Sequence, residues 1–383
     1  MIKYIIAFFA TMIILFFTVF NKIYLNDTII LGASIPKSGI MKEWGKSVEV
    51  GSNAYFKYVN EKNILSNDRK IKLITLDDKY EPDLTFENTK KLLERKDLFA
   101  LYGFVGTPTV KNILPLLEDN DLPFIAPFSG ASFLRNTENK NFINFRSSYK
   151  EEIEDLVNYL HLKRNISKFA VFYQNDDYGE EGYVSLIKAL EKKKLQLHGE
   201  GTYKRNTLSI KHAFTEIRNS EPEAVIMVGS YNANALFIKR AKKDEKLKDT
   251  IFCNISFSDA NEMIKNLDFK TENLLFSEVV PSYNDSKIDV IKEYKYLMRR
   301  YYPEEPLGFI SLESFLSAKI VVKALQNTKG FLTHAKFIEQ LKILPKNTLK
   351  GIEIKYKNTQ LLNKVYLFKY VNSKFTEIEY EKK

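Results

Sequence analysis

Tyr102–Leu134 reads YGFVGTPTVKNILPLLEDNDLPFIAPFSGASFL. Two short apolar segments in it each end in small and hydroxyl residues, at Gly106-Thr107 and at Ser129-Gly130. A segment of helical spacing follows the first at once, with Pro108 suited to a first helical turn. The stretch is therefore strand, turn, helix, strand, turn. Strands that alternate with helices make βαβ units and a parallel sheet.

The same rhythm runs outward in both directions. Strand candidates are Ile29–Ile35, Ile71–Leu76, Ala100–Val105, Pro123–Ala126, Phe142–Phe145, Phe169–Tyr173, Ala224–Val228, Thr250–Cys253 and Leu274–Val280. Helix candidates are Gly45–Asn60, Leu84–Arg95, Thr109–Glu118, Glu151–His161, Gly182–Glu191, Ile210–Arg218, Ala233–Lys243, Ile288–Tyr301 and Leu312–Leu325. The strands are near-continuous apolar runs, as expected where helices cover both faces of a sheet. So many strands exceed one comfortable sheet, and two sheets in two lobes is the simpler solution. The chain is expected to pass between lobes near NFRSSYKEE (144–152) and again at VVPSYND (279–285). Near the C-terminus, IEIKYKN (352–358) and VYLFKYVNSKFTEIEY (365–380) alternate with period two and predict a small antiparallel hairpin turning at Asn372-Ser373.

Composition excludes several classes of function. The 383 residues are 44% hydrophobic and 28% charged, an ordinary globular balance with ample material for a core. The net charge of +10 comes from lysines spread among acids rather than from one basic patch, which argues against nucleic acid as a partner. The single cysteine, Cys253, rules out an internal disulfide, and four scattered histidines give no metal-ligand spacing. No nucleophile elbow, zinc-protease motif or phosphate-binding loop is present, and GFVG is too short for a dinucleotide fingerprint. No cofactor, metal or catalytic residue is expected. The acidic pair Asp77-Asp78 after a strand could bind a metal or act as an acid/base pair, but with YEP following it a loop closed by helix capping is the favoured reading.

The N-terminus carries a continuous apolar run of 16 residues, Ile5–Phe20, behind a positive start. It is long for a signal-peptide core and short for a membrane span, and no small-residue cleavage site or lipid-bearing cysteine follows. A cleaved signal and an uncleaved anchor both remain open. Either sends the rest of the chain across a membrane, to a periplasmic or other extracytoplasmic location.

Ligands of open parallel sheets bind beyond the carboxyl ends of the strands. Thr107 opens a helix there and offers free backbone N–H groups and a hydroxyl, a setting that favours an anion. Ser129, Gly130 and Ala131 offer the same at a neighbouring strand end. Two readings stand: the hydroxyls cap helices, or the two turns grip one carboxylate. The second half of the chain places Tyr178 (NDDYGEEG), Tyr231 (GSYNANA), and Ser256, Phe257 and Asp259 (NISFSDAN) just after strands. Trp44, the only tryptophan, precedes a glycine at a helix start, to wall the same cleft or to fill a core.

Eight segments in order carry a resemblance: LGASIPKSGIMKEWGKSVEVG, LITLDDKYEPDLTFENTKKLL, YGFVGTPTV, PFIAPFSGASFLR, NFRSSYKEE, NDDYGEEG, AVIMVGSYNANALFIKRAK and SLESFLSAKIVVKAL. Together, over Thr28–Leu344, they resemble the leucine/isoleucine/valine-type solute-binding proteins of ABC importers, which have the class I periplasmic binding protein fold. The resemblance implies an α/β fold of two Rossmann-like lobes with parallel central sheets, joined by a three-stranded hinge and closing on ligand. It implies lobe 1 at 28–146 and 281–345, lobe 2 at 147–280 and 346–383, and a signal or anchor with its linker at 1–27. It implies a non-enzymatic role with two partners, a small-molecule ligand and a membrane ABC permease. A membrane sensor in place of the permease, with the chain as a ligand-sensing subunit, is the alternative. An amide hydrolase on this fold is a third reading, disfavoured by the lack of a nucleophile. Thr107 and the Ser129-Gly130-Ala131 turn would hold a ligand carboxylate, Tyr178 and Tyr231 would close from the second lobe, and Trp44 would face the ligand side chain. Amino-acid-binding members place a glutamate where Ser256 stands here, to pair with the ligand ammonium. Asp259 or Glu278 must replace it, or the ligand is an amide or small carboxylate with no ammonium.

Overall fold

The computed structural model describes residues 28–118, 120–267 and 272–380, with 4, 8 and 10–12 before them. The apolar run and its linker therefore lie largely outside the described residues. Among the described residues no helix is long and apolar enough to cross a membrane.

Two sheets form. The first, in the order β2-β1-β3-β4-β5, contains β1 (Thr28–Ile35), β2 (Lys70–Asp77), β3 (Leu98–Tyr102), β4 (Phe124–Ile125) and β5 (Phe142–Ile143). All its pairings are parallel, from Thr28 opposite Lys70 to Ile125 opposite Ile143. Helices α1 (Lys42–Glu61), α2 (Pro82–Leu93) and α3 (Thr107–Leu117) connect its strands. The second sheet has seven strands in the order β12-β11-β10-β9-β8-β6-β7. Its parallel part is β6 (Phe169–Gln174), β7 (Leu197–Tyr203), β8 (Ala224–Val228), β9 (Ile251–Asn254) and β10 (Leu274–Glu278). Its helices are α4 (Tyr149–Arg164), α5 (Asp177–Glu191), α6 (Lys211–Ser220), α7 (Tyr231–Ala241) and α8 (Ala260–Leu267).

After β10 the chain returns to the first lobe. It forms α9 (Asp289–Tyr301), α10 (Phe309–Asn327), which packs along α1, and α11 (His334–Lys342). It then crosses again, and β11 (Tyr366–Val371) and β12 (Lys374–Glu377) close the second sheet as an antiparallel edge. Two of the crossings run side by side: Asn144 N–H donates to Thr359 O at 2.8 Å, and Leu361 and Leu362 N–H donate to Asn144 and Phe145 O.

The nine strand and nine helix expectations each meet an element, with bounds shifted by a few residues. Three elements were not anticipated. The edge strand β7 carries Gly199, Gly201, His198 and Glu200 and looks polar because one face is open to water. Helices α8 and α11 are short. The hairpin needs a correction: β11 and β12 turn at Asn372-Ser373, both at positive φ, but IEIKYKN is no strand and makes only isolated bridges. Its segment packs Ile352 and Ile354 inward and pairs with no continuous neighbour.

The α1–α10 contact holds one wall of the cleft, and small residues make it close. Ser314 Oγ donates to Val48 O at 2.6 Å and meets Ser52 Oγ at 2.6 Å. A Cβ on Gly51 would lie 2.2 Å from the Ser311 carbonyl oxygen. Gly51→Ala gains about 1 kcal/mol of helix propensity but forces two backbones apart. A net loss of about 1–3 kcal/mol is expected, read as a lower urea midpoint; an unchanged midpoint would mean that the helices separate freely.

Candidate functional site: the cleft between the lobes

The two turns of the opening stretch meet. Gly106, at φ +108, delivers the chain from β3 into α3, and a Cβ there would lie 2.4 Å from the Tyr80 ring. Thr107 is thereby placed first in α3, and its Oγ1 lies 2.8 Å from Ser129 Oγ. Ala131 N–H donates to Ser129 Oγ at 3.3 Å, and Gly130 O accepts from Tyr149 N–H at 2.9 Å. A Cβ on Gly130 would lie 2.5 Å from the Tyr149 ring. Thr107, Ser129 and Ala131 are fully buried.

The facing side is built from the starts of lobe 2 helices. Ser148 caps α4 through a reciprocal pair with Glu151, which fixes Tyr149 and Glu152 just inside the helix. Tyr149 OH reaches Thr107 Oγ1 at 3.2 Å. Asp176 caps α5 by accepting from Tyr178 N–H at 3.1 Å, which brings the Tyr178 ring to 5.4 Å from Tyr149. Burial holds the Tyr178 phenol well above its usual value, so it stays protonated.

Trp44 lies in α1, buried, with its ring centroid 4.8 Å from Phe257 and its Nε1–H donating to Phe257 O at 3.1 Å. It therefore stands on the cleft wall, bridging the lobes. Tyr231 opens α7, and its hydroxyl donates across the lobes to Ile40 O. Asp259 is engaged as the cap of α8, accepting from Glu262 N–H at 3.2 Å. Burial, aided by Glu262 and Glu43, pushes its carboxyl up to about 7.

Ser256 is engaged within the protein on two sides. Its N–H and hydroxyl both donate to Glu152, each at 2.8 Å, and its Oγ accepts from Arg146 Nη2 at 2.8 Å. Arg146, fully buried at the first crossing, also grips Glu313 of α10 through Nε at 3.0 Å and Nη2 at 3.2 Å. Burial pushes the Glu313 carboxyl up to about 7 against the pull of Arg146. Glu278, at the end of β10, is buried with Glu152 and Asp259 nearby, and burial holds it well above the usual carboxylate range. Arg146, Glu152, Glu313 and Tyr149 escaped the sequence reading, while Phe257 was visible there only as an aromatic residue after a strand. An arginine straight after an apolar strand and a glutamate inside FISLESFLSAKIVVKAL were the available signals.

Contacts around the rim hold the lobes closed on each other. Ser132 N–H and Oγ donate to Glu181 at 3.0 and 2.8 Å, and Lys111 pairs with Asp177. Arg205 bridges Glu81 of the first lobe and Asp176 of the second at 3.0 and 3.2 Å. Asp77 and Asp78 tie loops: Asp77 accepts from Lys37 and Ser38, and Asp78 from Ser34, Thr85 and Tyr80 N–H. Among the described residues no cluster has the donors for a metal ion.

The sequence profile of the periplasmic binding protein family matches residues 28–375. The chain belongs to that family. Within it, the chain is similar to a possible leucine/isoleucine/valine-binding protein from Rhodopirellula baltica, at 30% identity over 92% of this chain and 96% of that one, with a TM-score of 0.86. A substrate-binding periplasmic protein from Ralstonia solanacearum shares the fold at 21% identity, 89% and 97% coverage and a TM-score of 0.82. So does a fatty acid ABC transporter substrate-binding protein from Thermomonospora curvata, at 18% identity, 92% and 91% coverage and 0.82. No curated protein sequence matches. The family and fold are those of substrate-binding proteins, with two α/β lobes about a cleft.

Proposed function

We propose that this periplasmic binding protein captures a small ligand between its lobes outside the cytoplasm and delivers it to an ABC importer. The ligand is an amino acid, an amide or a small carboxylate. The observation that carries this reading is the convergence of Thr107 and Ser129 from one lobe with Tyr149 and Tyr178 from the other. A ligand that touches both lobes favours the closed form, while one that touches a single lobe shifts nothing. The importer would read closure. We take the lobes as 28–146 with 281–345, and 147–280 with 346–383, and their crossings as the hinge.

Thr107→Ala and Ser129→Ala each remove a hydroxyl from the proposed carboxylate grip. Each is expected to weaken binding by about 1–3 kcal/mol, the cost of leaving a buried acceptor unpaired. Titration followed by Trp44 fluorescence and by the melting temperature reads this, since a ligand that binds only the folded chain raises its melting point. Unchanged affinity in both variants would remove the grip.

A further inference from the structure

Phe257 is fully buried in the cleft, on the loop between β9 and α8. Its ring centroid lies 4.8 Å from Trp44, 4.8 Å from Tyr178, 6.1 Å from Tyr80 and 6.5 Å from Tyr149. Trp44 and Tyr80 come from one lobe, Tyr149, Tyr178 and Phe257 from the other. All five rings are buried, so the closed cleft is packed with the protein's own aromatic surface. The loop is held firmly: Ser256 is tied to Glu152, and Ser258 Oγ accepts from Asn234 Nδ2 at 2.9 Å.

Two buried polar groups beside these rings have no hydrogen-bond partner among the described residues, Tyr178 OH and Arg146 Nη1. The guanidinium nitrogen only donates, and the phenol donates readily. Two acceptors at the cleft are already engaged. Phe257 O takes Trp44 Nε1–H, and Glu152 takes Ser256 N–H, Ser256 Oγ–H and Ser277 Oγ–H. Both unpartnered groups beside the rings can donate, and their complement is an oxygen acceptor.

We propose that Phe257 fills the compartment a ligand's apolar side chain would need, so that the cleft selects compact oxygen acceptors, a small carboxylate or primary amide, over amino acids with large side chains. The proposal rests on the cleft reading given above and deepens it. Phe257 is then the residue that sets ligand size, and Tyr178 and Arg146 are the donors that set ligand polarity.

The test uses the full chain and three probes, acetate, acetamide and leucine, titrated with Trp44 fluorescence and melting temperature as readouts. Acetate or acetamide is expected to saturate the wild type, with leucine at least ~30-fold weaker, and Phe257→Ala is expected to improve leucine binding at least ~10-fold, the scale set by a methylene or two in a pocket. Which compact probe binds tells carboxylate from amide. Phe257→Leu keeps apolar bulk and reports the same direction if the alanine variant fails to fold. The proposal is overturned if leucine binds the wild type more tightly than both compact probes, if neither compact probe saturates, or if both variants leave the leucine-to-acetate preference unchanged. Thr107→Ala separates the two levels. Strong leucine binding lost in Thr107→Ala removes the size restriction and keeps the cleft. Binding of any probe that is indifferent to both Thr107→Ala and Ser129→Ala removes the cleft reading itself.

Discussion

Replacing Glu313 with leucine is expected to destabilise the chain by about 3–5 kcal/mol, because it strands a buried arginine. Arg146 is fully buried, and its Nε and Nη2 both reach the Glu313 carboxylate. A guanidinium cannot shed its charge within a protein, so the loss of its partner leaves that charge in place. The reverse substitution differs. Arg146→Met leaves Glu313 and Glu152, and both carboxyls are already pushed upward by burial, so each can take up a proton. Arg146→Met is therefore expected to cost less than Glu313→Leu. Its cost should shrink at low pH. The double variant replaces the pair with apolar bulk and should cost clearly less than the sum of the singles. Urea midpoints of the four chains form the cycle. Strict additivity would show that the pair is uncoupled, against its geometry.

The pair also explains why the site was only partly legible in the sequence. That Thr107, Ser129 and Tyr178 meet at the cleft was legible because each follows a strand, and strand ends of parallel sheets lie together at one edge. That inference needs local pattern alone. Arg146 acquires its role from Ser256, 110 positions on, and from Glu313, 167 positions on. No local period encodes such separations. Ser256 looked like a lost ligand contact because only its place after β9 was visible. The structure gives it to Glu152 and Arg146 as a link between hinge and lobe, and gives the next residue, Phe257, to the cleft. Asp259 likewise looked free to meet an ammonium, and the short helix it caps was not anticipated. The sheets themselves were legible as apolar runs. Their order was not, because β1 pairs with both β2 and β3, and the last two strands join the far edge of a sheet begun some two hundred residues earlier. β7 was missed for a related reason: an edge strand keeps one face in water, and polar and glycine residues on that face dilute the apolar signal.

Stability is expected to fall as pH rises from about 4 to about 7, and the buried acids set the sign. Burial is the first cause in each case: it pushes Asp78 up to about 6, Asp259 and Glu313 up to about 7, and Glu278 well above the usual carboxylate range. The unfolded chain ionises these groups near their ordinary values of about 4. Between the two values the folded chain binds more protons than the unfolded one, so each unit of pH costs up to about 1.4 kcal/mol per group. The carboxyls held low by hydrogen bonds, Asp77 and Glu151, act in a different window, losing their contribution only as pH falls below about 4. His334, held low by burial, works the other way and takes stability away as pH drops below about 6.5. One imidazole does not offset four carboxyls, so the chain should be more stable at pH 5 than at pH 8 by an amount of the order of a few kcal/mol. Urea unfolding across that range reads the slope. Asp259→Asn isolates one contributor, because asparagine caps a helix as aspartate does and carries no titrating proton. Its profile should be flatter than wild type between pH 5 and 7. If the wild-type profile is flat over the whole range, these acids are hydrated in solution, and the buried position of Asp259 is not the resting state.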